Sequence, residues 1–231
     1  MDGAINIVVY DSTNVARRGV RTIGERMRRL CDATQWLTFW WRLGARMREL
    51  QGFADYSIGA ATWTHALAEV GQAVERHRAI TGRPTTIASL QFWGHGLPGH
   101  AFLGLDPPSM NARTLAPGGL LFGPARQIGK LLHPRQGHVW FRCCSPFAGV
   151  TGLEFARAAA AAFGVPVVGH TFTIHLVQSG TRVLRPGQIP DWNADEGIHQ
   201  RGRRRGTNIV SAPWHARTVS MFRLRPPIHP E

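Results

Sequence analysis

The feature that most constrains the fold is a series of apolar, β-rich runs that each stop at a polar or reactive residue. "AINIVVY" at 4–10 ends at Asp11 and Ser12, "TIASLQFW" at 86–93 ends at Gly94, His95 and Gly96, "HVWFR" at 138–142 ends at Cys143 and Cys144, and "VPVVGH" ends at His170. Short runs with almost no polar alternation are the pattern of strands buried on both faces. The segments between them carry a helical period. Trp63, Leu67, Val70 and Val74 recur every three or four residues before Gly82 and Pro84 stop the run. A second helix is expected around "ARQIGKLL", and a third over "LEFARAAAAAF", closed by Gly164, with Thr151 and Glu154 at capping-box spacing. Strands alternating with helices predict an α/β fold with a mainly parallel sheet and helices on both faces. Ligands bind such sheets at the C-terminal strand ends. Asp11, His95, the two cysteines and His170 are therefore predicted to converge on one sheet edge.

Other segments are read more locally. The stripe Trp36, Phe39, Trp40, Leu43 and Met47 falls at helix spacing and is expected to pack on the sheet. "FADYSI" at 53–58 and "AFLGL" after His100 are expected strands. From residue 171 onward the pattern turns β-rich, with a hairpin predicted around Ser179 and Gly180 and a closing strand in "TVSMFRLRPP". Residues 191–208 read as a flexible excursion. The organisation expected is a core over residues 1–175 with a β-hairpin and basic-loop extension, 176–231, packed on the same domain.

Composition narrows the function classes. With 231 residues and 43% hydrophobic content, the chain can bury a sizeable core. The formal charge of +13 suggests an anionic partner, but Lys130 is the only lysine, a skew that a GC-rich coding sequence produces unaided. The one dense basic run is Arg201 to Arg205, which could hold an anion non-specifically. No aromatic-interleaved RNA motif or zinc-finger spacing accompanies it. No apolar stretch approaches the ~20 residues of a membrane span and no secretory leader is visible, so no membrane partner and a cytoplasmic location are expected. Three cysteines, two of them adjacent, cannot build a disulfide framework, and Cys31 reads as structural.

The adjacent pair draws attention. Neighbouring side chains on an extended segment point to opposite faces, so one of Cys143 and Cys144 can pack inward while the other faces the groove. A thiol needs a base to act as a nucleophile at neutral pH, and histidine is the natural partner. His95 and the cysteines end consecutive long buried strands. Gly94 and Gly96 flank the histidine, where a bare backbone can approach a substrate and present an N–H to an oxyanion.

An apolar strand ending in His-Gly ("SLQFWGHG"), then an apolar strand ending in a small residue and Cys ("VWFRCC"), resembles the catalytic signature of caspase-like (clan CD) cysteine peptidases. The bacterial caspase-like and CHAT-type domains are the nearest in feel. The resemblance implies a three-layer caspase-like fold and a cysteine endopeptidase acting on peptide or protein substrates without metal or cofactor. It implies His95 as acid/base, Cys144 as nucleophile, and the amides of Gly96 and Cys144 as oxyanion donors. Asp11, Cys143 and His170 are the candidate substrate-pocket residues. Two departures stand out: Cys143 occupies the usual Ala or Ser position, and "SPF" follows Cys144 where an acidic residue is common. The alternatives are a non-catalytic binding or scaffold module of the same architecture with a basic surface, and an esterase-type hydrolase. "HGLPG" is similar to an α/β-hydrolase oxyanion loop, but neither cysteine sits in a small-x-Cys-x-small elbow. His170 with His175, or His95 and His100 with the cysteines, could bind zinc, yet no Cys-x-x-Cys or His-Glu-x-x-His spacing is present.

Overall fold

A computed structural model describes residues 3–13, 41–104, 109–201 and 204–221. Its centre is a six-stranded sheet built from β1 (Gly3–Asp11), β2 (Tyr56–Ala60), β3 (Thr85–Trp93), β7 (His138–Arg142), β8 (Val167–His170) and β10 (Thr181–Leu184), in the spatial order β10-β8-β7-β3-β1-β2. The β4 (His95–Leu97), β5 (His100–Phe102) and β6 (Met110–Asn111) strands form a small antiparallel sheet of their own. Every pairing in the main sheet is parallel except β10 with β8. The sixth strand thus comes from the segment beyond residue 175.

Helices α2 (Trp63–Thr81), α4 (Phe122–Leu131) and α5 (Gly149–Phe163), with the short α3 (Ala112–Leu115), share one apolar core with Ile5, Ile7 and Val9 of β1, Phe92 of β3 and Phe141 of β7. The opposite face is covered by helix α1, described over residues 41–50, whose Ala45 packs with Val8 and Trp93. Further along that face lies the antiparallel pair β9 (Val177–Gln178) and β13 (Val219–Ser220), with Val219 against Trp140 and Val168. This gives an α/β fold of six mostly parallel strands with helices on both faces. Among the described residues no helix is long and apolar enough to cross a membrane.

The chain runs from β1 to β2 in one direction along the sheet and from β3 through β7 and β8 in the other. The reversal leaves a crevice at the C-terminal ends of β1 and β3, where open α/β sheets place their ligands. Asp11 and His95 stand on its two sides.

Several local expectations change. The inner face of α1 is Trp41, Gly44, Ala45 and Arg48, while Leu43 and Met47 are exposed; Trp36, Phe39, Trp40 and Cys31 lie outside the described residues. Space decides this: a Cβ on Gly44 would stand 2.9 Å from the Trp93 ring, so only a small residue fits there. The α5 helix begins at Gly149 with no side-chain cap, and the Thr151 hydroxyl donates instead to the Pro98 carbonyl at 3.2 Å. Ser179 and Gly180 do not form a hairpin turn, because β9 pairs with β13 and β10 with β8. The 191–208 segment is not a loose excursion. Its β11 (Ile198–Arg201) and β12 (Arg204–Asn208) strands pair antiparallel, Gly149 N donates to Ala194 O, and Asn208 Nδ2 donates to Ser145 Oγ at 2.7 Å. Of the closing strand, Val219 and Ser220 are described.

Candidate active site

The sheet register brings His95 and Cys144 to neighbouring strand ends. The last registered pair between β3 and β7 is Trp93 with Arg142. His95, which opens β4 after the bend at Gly94, and Cys144 each lie two residues further on, and Cys144 keeps the parity of Arg142. Cys143, one residue earlier, has the opposite parity and is buried in the α2/α4/α5 core. The two cysteines therefore divide as alternation demands.

Gly96 makes the approach possible. A Cβ there would sit 2.3 Å from the carbonyl oxygen of Cys144, 2.9 Å from its nitrogen and 3.0 Å from Sγ of Cys143. Only glycine lets the backbone after His95 lie directly on the backbone of Cys144. Gly94 is as tight, since its Cβ would meet the Phe102 carbonyl oxygen at 2.4 Å.

The turn after Cys144 is rigidly built. Ser145 is fully buried and takes a left-handed φ of 47°, a conformation an L-residue holds only when its surroundings compel it. Ser145 N donates to Phe172 O, Phe147 N to His170 O and Gly99 N to Pro146 O. Phe147 stacks on Trp192, whose Nε1 donates to the Phe147 carbonyl. The Phe92–Phe141 and Phe141–Phe155 ring pairs, 5.6 and 5.1 Å between centroids, tie β3, β7 and α5 together beneath the turn. Such pairs add about 0.5–1.5 kcal/mol each beyond their burial. The "SPF" segment is thus a structural turn, with Ser145 and Phe147 closed to solvent.

Electrostatics sets the resting protonation. Burial pushes the Cys144 thiol above its ordinary range, and its Sγ donates to the Ile174 carbonyl at 3.6 Å. Burial pushes the Cys143 thiol up further. His95 is lowered by burial, partly offset by the negative charge of Asp11. Its ring meets the edge of Trp41, with centroids 4.9 Å apart. Its Nε2 is sealed from solvent and makes no hydrogen bond. The Cys144 thiol and the His95 imidazole both rest neutral, with no hydrogen bond between them among the described residues.

The three candidate pocket residues are placed differently from expectation. Asp11 is fully buried, and its Oδ1 accepts from Thr13 N and Thr13 Oγ1 at 2.8 and 2.6 Å, so it cannot meet a substrate side chain directly. His170 is fully buried too. Trp140 Nε1 donates to its Nε2 at 3.2 Å, and its Nδ1 lies 3.3 Å from the Ser179 carbonyl. Burial and the nearby Arg142 guanidinium lower it to about 3, so it stays neutral and structural. Cys143 packs in the core rather than lining a pocket. The side chains of Arg201 to Arg205 lie outside the described residues.

Sequence reasoning missed the layer beneath the site. Arg142 is fully buried, lowered to about 9 by burial, and lies over the Trp140 and Trp93 rings at 4.3 and 5.2 Å while donating to Gln178 Oε1. An arginine inside an otherwise apolar strand was the available signal. The contact of Trp41 with His95 had none, being non-local. Among the described residues no group of three or more His, Cys, Asp or Glu side chains could hold a metal ion. No protein-family model, curated protein or solved structure matches the chain.

Proposed function

We propose that the protein is a cysteine-dependent endopeptidase of caspase-like architecture, with Cys144 as nucleophile and His95 as acid/base. The observation that carries this reading is the abutment of Gly96 on the Cys144 backbone, which brings the chain beside His95 against the residue that bears the thiol, at the C-terminal ends of β3 and β7. A packed core has no need for a histidine and a half-buried cysteine at adjoining strand ends.

The neutral resting pair sets the order of events. Cys144 Sγ bonds to the scissile carbonyl carbon as its proton passes to His95, and the carbonyl π pair moves to oxygen. Collapse of that adduct expels the amine, which takes the proton back from His95. Water then hydrolyses the thioester with His95 as base. The Cys144 amide and that of Gly96 are the proposed oxyanion donors. Ser145 N is committed to Phe172 O and takes no part.

A second reading, a non-catalytic binding module, is favoured by the raised Cys144 thiol and the absence of a hydrogen bond to His95. Alkylation by iodoacetamide between pH 5 and 9, read by peptide mass spectrometry, separates the two. The endopeptidase reading expects dominant labelling of Cys144, rising with pH and slowed by His95→Ala, together with cleavage of a peptide library that Cys144→Ser abolishes. Labelling unaffected by His95→Ala, with no Cys144-dependent cleavage, supports the binding module.

A further inference from the structure

We propose that Asp11 is a positioning residue of this site: its Oδ2 faces Nε2 of His95 across the β1–β3 crevice and presents Nδ1 to Cys144. Two buried polar atoms at one crevice are without partners. Asp11 Oδ2 and His95 Nε2 are both shut off from solvent and neither makes a hydrogen bond. Orphaned buried polar atoms are rare, because each forfeits its solvation, and two of complementary kind at one place account for each other. The register sets the two residues at neighbouring strand ends: Tyr10 pairs with Trp93, so Asp11 ends β1 level with Gly94, and the chain bends there before His95 opens β4, which takes the imidazole out of the β3 alternation.

The carboxylate itself is firmly held. Its Oδ1 is occupied by Thr13 N and Thr13 Oγ1, which aims the second oxygen, and Ser12 N donates to Ala60 O at the end of β2. Trp41 presses on the imidazole edge and limits its rotation. A proton on Nε2 directed at Oδ2, through one water or a small rotation of the ring, leaves the lone pair on Nδ1. That is the tautomer a base toward Cys144 requires. The charge of Asp11 already acts on His95 in the sense of favouring the imidazolium. When Nδ1 takes the thiol proton, the new charge is balanced by a carboxylate whose position is set beforehand.

Among the described residues, the other titratable or charged groups on the neighbouring elements are the Cys143 and Cys144 thiols after β7, against Gly96, and the Arg48 and Arg142 guanidiniums over the Trp93 ring. The catalytic consequence rests on the endopeptidase reading, but the pairing does not, so the first measurement is made without substrate. Heteronuclear NMR of the histidine-labelled wild-type chain gives the tautomer and titration of His95. The expectation is the Nε2–H tautomer, and in Asp11→Asn a midpoint lower by about one pH unit with loss of tautomer preference. Thr13→Val, which removes one of the two donors that aim the carboxylate, is expected to shift the midpoint in the same direction by a smaller amount. An Nδ1–H tautomer in the wild type, or a midpoint unmoved in Asp11→Asn, overturns the proposal. Should Asp11→Asn fail to fold, the wild-type tautomer still decides. The rate of Cys144 alkylation at neutral pH is expected to fall in Asp11→Asn, because a less basic imidazole accepts the thiol proton less readily. NMR pairing without Cys144-dependent cleavage would retire the endopeptidase reading and leave the pair standing.

Discussion

Two histidines follow buried strands of the same sheet, and they differ in how their ring nitrogens are used. His170 ends β8 with its Nε2 accepting from Trp140 and its Nδ1 beside the Ser179 carbonyl and the Thr181 hydroxyl, all in the dry interior. His95 follows β3 with an orphaned Nε2, a half-buried ring and, through Gly96, the Cys144 backbone close to its own chain. Burial lowers both. A strand end therefore makes a site only where the residue is left with unspent hydrogen-bonding capacity; where every group is satisfied, the same position is a brace.

The largest effect expected from breaking this contrast is at the groove. Cys144→Ser or His95→Ala is expected to cut peptide cleavage by a factor on the order of 10³ or more, while His170→Gln retains it in whatever fraction remains folded. Assaying all three variants against one peptide library checks this, and loss of cleavage in only His170→Gln would invert the comparison.

Next in size is the response to acid. The folded His170 is lowered to about 3, against an ordinary value of 6.5, so the unfolded chain takes up a proton in that window that the folded chain refuses. Stability contributed by the neutral ring is complete above the unfolded value and is lost as pH falls toward 3. Over that span the loss is on the order of 5 kcal/mol. Denaturant unfolding of wild type and His170→Gln from pH 7 to 4 tests it: the variant, which cannot titrate, should show a shallower decline.

Gly96→Ala comes third. Its new methyl must displace the Cys144 carbonyl, at a cost of about 1–3 kcal/mol, and should depress Cys144 reactivity more than it depresses the melting temperature. The equivalent change at Gly187, where a Cβ meets nothing but φ is +78°, is expected to cost stability alone. Smallest is Cys143→Ala, a core truncation worth ~1 kcal/mol, readable as a small shift in unfolding midpoint with Cys144 labelling intact.

Much of the scaffold was legible. β1, β3, β7 and β8 lie where continuous apolar runs placed them, because a strand buried on both faces leaves no room for polar alternation. Gly82 and Gly164 close α2 and α5 in left-handed conformations, as glycines at helix C-termini do. What escaped depended on partners remote in sequence. Thr151 had the spacing of a cap, but the Pro98 carbonyl claimed its hydroxyl. The segment at 191–208 had the composition of a loop, yet Asn208, Gly197 and Ala194 tie it to the Cys144 turn and to residues 171–173. The division of Cys143 and Cys144 between core and groove could be read from alternation alone.

The sequence by itself determined the succession of buried strands and helices, the parity of each strand-end residue, and the need for glycine beside His95. Only the tertiary structure decided which strand-end groups are spent and which remain available: that Asp11 and His170 are internal, that Arg142 lies between tryptophans, and that the Cys144–His95 pair rests uncharged. Parity is a property of one chain segment, whereas desolvation and hydrogen-bond satisfaction belong to whatever other segments pack against it.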